Sequence, residues 1–346
     1  MKILVLGGTR FVGRAIVRRL LREGHNVTIL NRGISPDSFA TRVRRVVGDR
    51  RDPDTLRRAV AKGDYDAVVD VTAYRGEETS AALEAFRTIT GHFIHISTAA
   101  VYLIREGLFP PFREEDFAGR LSPRPSADRS SWLYAYHKRR CEEVLQRAWE
   151  EDRFPSTSLR LPMVIGPGDY TRRADAYLER LASGGPLLLP DGGLNSWGFL
   201  WVEDVAETVV TNLANSNAFG QAYNLGQREA ISLRQFLDLA SHALGAAARL
   251  ISIPTEWLDA VGLGTGFSPF SHHHDILLDC RAAEEDLLFR STPPVTWMAQ
   301  LVDDFRRRWT GTVEAFASTR AFELTLAREM APIRLPSLTA AADATR

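Results

Sequence analysis

Ile3-Leu4-Val5-Leu6-Gly7-Gly8-Thr9-Arg10-Phe11-Val12-Gly13 is the stretch from which the rest of this chain is read. Four consecutive apolar residues running into glycines suit a strand buried on both faces of a parallel sheet. Val12, Ile16 and Leu20 then recur at helical spacing, Arg14, Arg18 and Arg22 fall on another face, and Gly24 supplies the stop. Strand, glycine turn and helix in that order make a cradle for a nucleotide pyrophosphate. Glycine lets the backbone approach the phosphates, and the free N–H groups of the first helical turn face them. The same pattern without a ligand is only a tight connection, so the motif needs company.

Working outward, Val27-Thr28-Ile29-Leu30 is a second strand, and Val46-Val47 leads a third into Gly48-Asp49. A helix over 53–62, a strand Ala67-Val68-Val69-Asp70-Val71, a helix over 76–88 and a strand Phe93-Ile94-His95-Ile96 continue the alternation. Strands alternating with helices imply an α/β fold, a Rossmann-like doubly wound parallel sheet. Residues 103–130, rich in Pro, Arg, Asp and Ser, form a loop, and Trp132 to Trp149 read as helix. After a strand and exit turn from Leu159 to Gly168 the alternation is lost, and a smaller C-terminal substrate-binding lobe is expected to begin. The expected division is 1–162 for the dinucleotide-binding domain, with segments near 199–225 returning to it. The lobe takes 163–310, and a C-terminal helix and tail take 311–346. Residues 200–213, 232–244 and 311–330 carry helical patterns.

Acidic and basic residues balance at 43 each, which argues against a chain-wide field for nucleic acid or anionic membrane and makes nucleic acid an unlikely partner. Two cysteines, Cys141 and Cys280, make no disulfide framework and suit a reducing cytoplasm. The chain opens directly into a strand pattern, and no run approaches about 20 apolar residues, so a soluble, unexported protein is expected. Only Lys2, Lys62 and Lys138 are lysines, and the other 40 basic residues are arginines.

One of those three lysines falls four residues after Tyr134, which on a helix puts the two side chains on one face a turn apart. A phenol in water titrates near pH 10, so acid–base work near neutrality requires about 4 kcal/mol of help. An ammonium about 5 Å away at an effective dielectric near 20 supplies about 3 kcal/mol, and an oxidised nicotinamide adds to it. Thr98, just beyond Ile96, offers a hydroxyl to the same substrate oxygen. Catalytic Thr98, Tyr134 and Lys138 are therefore expected beside a cofactor held by Gly7, Thr9, Arg10, Phe11, Val12 and Gly13. At the end of the second strand Asn31 stands where a carboxylate would grip a ribose. With Arg32, and Arg10 as a second guanidinium, this favours NADP(H) over NAD(H). Asp49 and Arg50 are expected to flank the adenine.

These residues resemble the extended short-chain dehydrogenase/reductases, the NAD(P)-dependent epimerase/dehydratase family, from Met1 to about Trp309. The segments that carry the likeness are Gly7 to Gly13, Gly48-Asp49, Ser97-Thr98-Ala99-Ala100-Val101-Tyr102, Tyr134 to Lys138 with Glu142, Arg160 to Gly168, and Phe199 to Asp204. The wording Gly-Gly-Thr-Arg-Phe-Val-Gly, Asn-Arg-Gly and Asp-Val-Thr-Ala-Tyr is similar to an atypical branch that includes chloroplast stem-loop RNA-binding proteins and bacterial reductases.

The resemblance implies hydride transfer to or from a hydroxyl or carbonyl carbon, with Thr72, Ala73, Arg75, Ser97 and Pro162 also lining the dinucleotide and a homodimer as the assembly. It leaves two alternatives open, a sugar or nucleotide-sugar epimerase that retains its cofactor and a non-catalytic RNA- or partner-binding protein. Ala99 and Ala100 replace the Asp-Glu with which the 4,6-dehydratases expel water, which discounts dehydration. Met163 and Trp197 stand where epimerases carry the asparagine and arginine for a sugar nucleotide. With Trp132 they suggest a pocket for a smaller, less charged hydroxyl or carbonyl compound. His272-His273-His274 is read as a loop rather than a metal site, and no metal is expected.

Overall fold

The computed structural model describes residues 1–330 except 37, 127, 264–267, 272–274 and 316. In chain order the first half runs β1 (Lys2–Leu6), α1 (Phe11–Arg22), β2 (Asn26–Asn31), β3 (Arg44–Val47), α2 (Pro53–Val60), β4 (Ala67–Asp70), α3 (Gly76–Phe86), β5 (Phe93–Thr98), α4 (Ala100–Leu103), α5 (Arg129–Asp152) and β6 (Ser156–Leu161). It continues with β7 (Val164–Ile165), α6 (Asp175–Ser183), β8 (Pro186–Pro190), β9 (Ser196–Trp197), β10 (Leu200–Trp201), α7 (Val202–Thr211) and β11 (Gln221–Asn224). The remainder is β12 (Ile231–Ser232), α8 (Leu233–Leu244), β13 (Arg249–Ile253), α9 (Thr255–Ala260), α10 (Arg281–Asp286), α11 (Pro294–Arg308) and α12 (Ala317–Met330).

Seven strands form one sheet in the order β11-β6-β5-β4-β1-β2-β3, all parallel. The chain winds outward from β1 in both directions, so the strand order reverses there and the carboxyl ends of β1 and β4 flank the switch point at which such sheets hold ligands. The Rossmann-like core expected from the alternation is present, and a smaller, largely helical unit accompanies it. One face is closed by α1 and α7, which pack Ile16, Val17, Leu20, Val205 and Val209 onto Ile3, Val5, Ile94, Ile96 and Leu161. The other is closed by α2, α3 and α5, which bring Leu56, Leu83, Phe86 and Leu145 onto Leu4, Val68 and Phe93.

The chain divides into two compact units whose segments interleave. Among the described residues, the first contains those within 1–171, 196–231 and 274–297, and the second those within 172–195, 232–273 and 298–346. In the second, β8 pairs in parallel with β13, and Tyr177, Phe236 and Phe270 form an aromatic nucleus. Its helix α12 is fastened by charge. Glu323, fully buried, accepts from the backbone N–H of Leu188 at 3.0 Å and from Arg320 at 2.6 Å.

Candidate active site at the carboxyl ends of the central strands

The turn from β1 into α1 has the form its sequence requires. Gly7 has φ +108°, and a Cβ there would stand 2.7 Å from the Thr72 methyl. A Cβ on Gly13 would meet the Gly8 backbone nitrogen at 2.8 Å, so only glycine lets helix and turn approach this closely. Helix α1 begins at Phe11 with no side-chain cap and no acidic residue in its first turn. Its leading N–H groups are left for an anion, a fit to a dinucleotide pyrophosphate that rests on the chain's own geometry. Thr72 closes the other side, its N–H on the Asp70 carboxylate at 3.1 Å and its hydroxyl on the Leu6 carbonyl at 3.2 Å. Arg75 lies exposed just before α3, and the Ala73 carbonyl accepts from Lys138 at 2.9 Å.

Tyr134 and Lys138 both lie on α5 but in different surroundings. Tyr134 is 41% exposed, its ring 6.3 Å from that of Tyr74. Lys138, at 3% exposure, is driven into the sheet. An ammonium has three N–H donors, and each is taken. Lys138 Nζ donates to the Ala73 carbonyl at 2.9 Å, to the Ile96 carbonyl at 2.7 Å and to His95 Nε2 at 3.1 Å. Burial pulls the lysine down from its ordinary range, while Cys141, Asp70 and Glu142 oppose that fall. In this arrangement Lys138 presents the site with charge rather than a spare donor. Thr98 is half-buried and its Oγ1 accepts from the Ala100 N–H at 3.2 Å.

Two expected cofactor contacts are corrected. Arg50 does not flank an adenine: it is buried and ion-paired to Asp70, with a second bond to the Glu78 carbonyl at 2.9 Å. The Ser97 hydroxyl is likewise turned inward, onto Glu142, which Arg160 holds with two bonds at 2.9 and 2.7 Å. Arg160 in turn reaches the Tyr102 hydroxyl at 2.7 Å, and that hydroxyl donates to Asn224 at 2.7 Å. Ser97, Tyr102 and Glu142, from the segments that signalled the fold, thus serve an internal network. Trp197 is also corrected: at 3% exposure it stacks on Phe199 and bridges to Ile276 as core. Trp132 is half-buried, stacked on Tyr136 with its Nε1–H on the Ser122 carbonyl at 3.2 Å. Pro162 and Met163 are half-buried, and the Met163 carbonyl accepts from Leu200 at 3.1 Å.

Two residues were missed by sequence reasoning. His95, read as one residue of an apolar strand, is the third ligand of the Lys138 ammonium; an ionisable residue in an otherwise apolar strand was its signal. Tyr74, which ends the Asp-Val-Thr-Ala-Tyr wording, faces Tyr134 and has no spacing signature of its own. His272 to His274 lie outside the described residues.

Residues 3–226 match the NAD dependent epimerase/dehydratase family. The chain belongs to that family. Among its relatives is the 2'-dehydrokanamycin reductase of Streptomyces kanamyceticus, 29% identical over 261 residues, which cover 74% of this chain and 70% of that one. Among solved structures of similar fold is the dTDP-glucose 4,6-dehydratase of Bacillus anthracis in complex with NAD, with TM-score 0.71 and 17% identity over 89% of this chain and 97% of that one. Another is DesIV, a dTDP-glucose 4,6-dehydratase of Streptomyces venezuelae with NAD bound, with TM-score 0.69 and 21% identity over 89% and 97%. Family membership makes this an NAD-linked enzyme of the oxidoreductase and epimerase class acting on a hydroxyl or carbonyl compound.

The expectation that NADP(H) is favoured over NAD(H) is overturned. These structures of the fold hold NAD. In this chain two of the groups that suggested a 2′-phosphate site, Asn31 and Arg10, are engaged elsewhere. Asn31 Oδ1 accepts from the Gly33 N–H at 2.9 Å, and Arg10 donates to the Ser35 hydroxyl at 2.8 Å and lies over the Tyr170 ring. The Asp49 carboxyl, pushed down to about 2 first by its bonds to Arg51, also feels Arg32 and so sets a negative charge near that guanidinium. Among the described residues no helix is long and apolar enough to cross a membrane.

Proposed function

We propose that the protein is an NAD-linked reductase or dehydrogenase in which Tyr134 gives or takes the proton of the substrate oxygen. The observation that carries this reading is the placement of an exposed phenol one helical turn from a buried ammonium, at the carboxyl ends of β4 and β5. Bound NAD would supply or accept the hydride. Gly7, Thr9, Arg10, Phe11, Val12 and Gly13 would hold its pyrophosphate on the α1 terminus, with Thr72, Ala73 and Pro162 along the crevice. Lys138 favours the ionised phenol through its charge, and Thr98 aligns the substrate oxygen with its half-buried hydroxyl. Ala99 and Ala100 bring neither acid nor base, which supports simple hydride transfer over elimination.

The RNA-binding alternative loses weight, because two arginines that follow β3 are engaged within the chain, Arg50 buried against Asp70 and Arg51 tied to Asp49. Tyr134→Phe is expected to bind NAD with unchanged affinity, read by calorimetry, and to lose at least a hundredfold in turnover on any carbonyl compound that the wild type reduces. Turnover equal to wild type would overturn the reading.

A further inference from the structure

We propose that His95, oriented by the Asp70 carboxylate, is a positioning residue for Lys138, so that Asp70, His95 and Lys138 act as one buried chain of carboxylate, imidazole and ammonium. The inference rests on the reading that Lys138 serves Tyr134, and it begins from donor counting. Lysine only donates, so His95 Nε2, 3.1 Å from Nζ, must be the acceptor and the ring proton must sit on Nδ1. His95 is fully buried, and its Nδ1 finds no hydrogen-bond partner among the described residues. Buried N–H groups are rarely left so.

A complementary acceptor lies on the neighbouring strand. Asp70 and His95 are register partners on the adjacent strands β4 and β5, so their side chains leave the sheet on the same face. Asp70 is also fully buried. Its Oδ1 takes the Arg50 guanidinium and the N–H groups of Thr72 and Ala73, while its Oδ2 has no partner among the described residues. An orphan donor and an orphan acceptor on register-paired residues are satisfied together by one buried water between them.

The charges facing this chain come from every element around it. Arg50 follows β3, Asp70 ends β4, Lys138, Cys141 and Glu142 lie on α5, and His95 itself is pulled well below its ordinary value by burial and then by Lys138 and Arg50. A neutral imidazole is therefore the stable partner. It gives Lys138 a third acceptor without a competing positive charge, and Asp70 fixes the tautomer that makes this possible.

The chain's three lysines give a direct test. Lysine labelled with carbon-13 and nitrogen-15 yields three side-chain signals, and the Lys138 titration can be followed without substrate or turnover. His95→Phe is expected to lower its midpoint by about one pH unit, and His95→Gln, which keeps an acceptor, to restore it. An unmoved midpoint in a folded His95→Phe protein would overturn the proposal. In the wild type, the His95 ring assigned through its Ile96 neighbour is expected to carry a protected proton on Nδ1, with Nε2 bare. A proton on Nε2 would overturn the proposal even if the variants failed to fold, and a rapidly exchanging Nδ1 proton, unchanged in Asp70→Asn, would remove Asp70 from it. A Tyr134→Phe enzyme with full turnover would end the catalytic reading and leave this chain of three residues standing.

Discussion

Gly13 sits where helix α1 and the glycine turn nearly touch. A methyl group there would stand 2.8 Å from the Gly8 nitrogen, and that neighbour is backbone and cannot swing away. Gly13→Ala is expected to cost about 1–3 kcal/mol of stability, read as a lower melting temperature. It is also expected to weaken NAD binding at least tenfold in calorimetry, because the displaced turn is the one whose N–H groups meet the phosphates. At this scale the sequence was legible wherever chemistry follows from backbone conformation. It misled where a side chain's partner lies far away. Arg50 and Ser97 hold motif positions beside the expected cofactor, yet their partners Asp70 and Glu142 are 20 and 45 residues distant. Nothing local to either residue distinguishes an exposed guanidinium from one folded under a helix.

At the scale of elements, the face of the sheet under α5 changes character along its strands. Val68 and Phe93 bury apolar surface, whereas two residues further along Asp70 and His95 bury polar groups, and Ser97 and Arg160 continue the trend. Helix α5 follows the same gradient, with Leu145 and Ala148 over the apolar end and Lys138 and Glu142 over the polar one. Period and composition revealed these elements to within a few residues, but not which end of α5 meets which end of the sheet.

A second buried imidazole ties elements together elsewhere in the same unit. His92, just before β5, contacts the Leu213 carbonyl at 3.1 Å and the Thr157 hydroxyl of β6 at 2.9 Å. Burial pushes it down to about 4, below the unfolded value near 6.5. Between those values the unfolded chain binds a proton that the native protein refuses. The stability present above pH 6.5 is therefore lost as pH falls towards 4 and then levels off. The loss amounts to about 3 kcal/mol from His92, and His95 acts in the same direction. Urea unfolding across this range should show the decline, and His92→Gln should flatten part of it.

For the whole molecule, each unit is held by its own buried charges. In the second unit Glu323 secures α12 to β8 through the Leu188 N–H, and Arg320, its ion-pair partner within α12, donates to the Pro186 carbonyl at 2.8 Å. Replacing one partner of a buried pair leaves the other charge uncompensated, at a cost of about 3–5 kcal/mol. Glu323→Gln is expected to raise hydrogen exchange in residues 317–330 and 186–190 while the seven-stranded sheet keeps its protection. Equal protection everywhere would show that α12 is held by other means. The Rossmann-like half was legible because its strands and helices alternate regularly. In the second unit the helical patterns led to α8 and α12, but the strand pairing was not legible, because Arg249 of β13 pairs with the distant Pro186 of β8 and neither short strand carries a period that names its partner.

The main chain passes from one unit to the other after residues 171, 195, 231, 273 and 297. Neither unit is thus a module that a single cut could release. A fragment ending at residue 171 would lack β11 from the sheet edge and α7 from one face, baring the greasy surface of Ile16, Leu20 and Leu161. Exchange of specificity between relatives by splicing continuous gene segments would meet the same obstacle. Inheritance of a new substrate preference in this architecture has to proceed by scattered replacements within an unbroken chain.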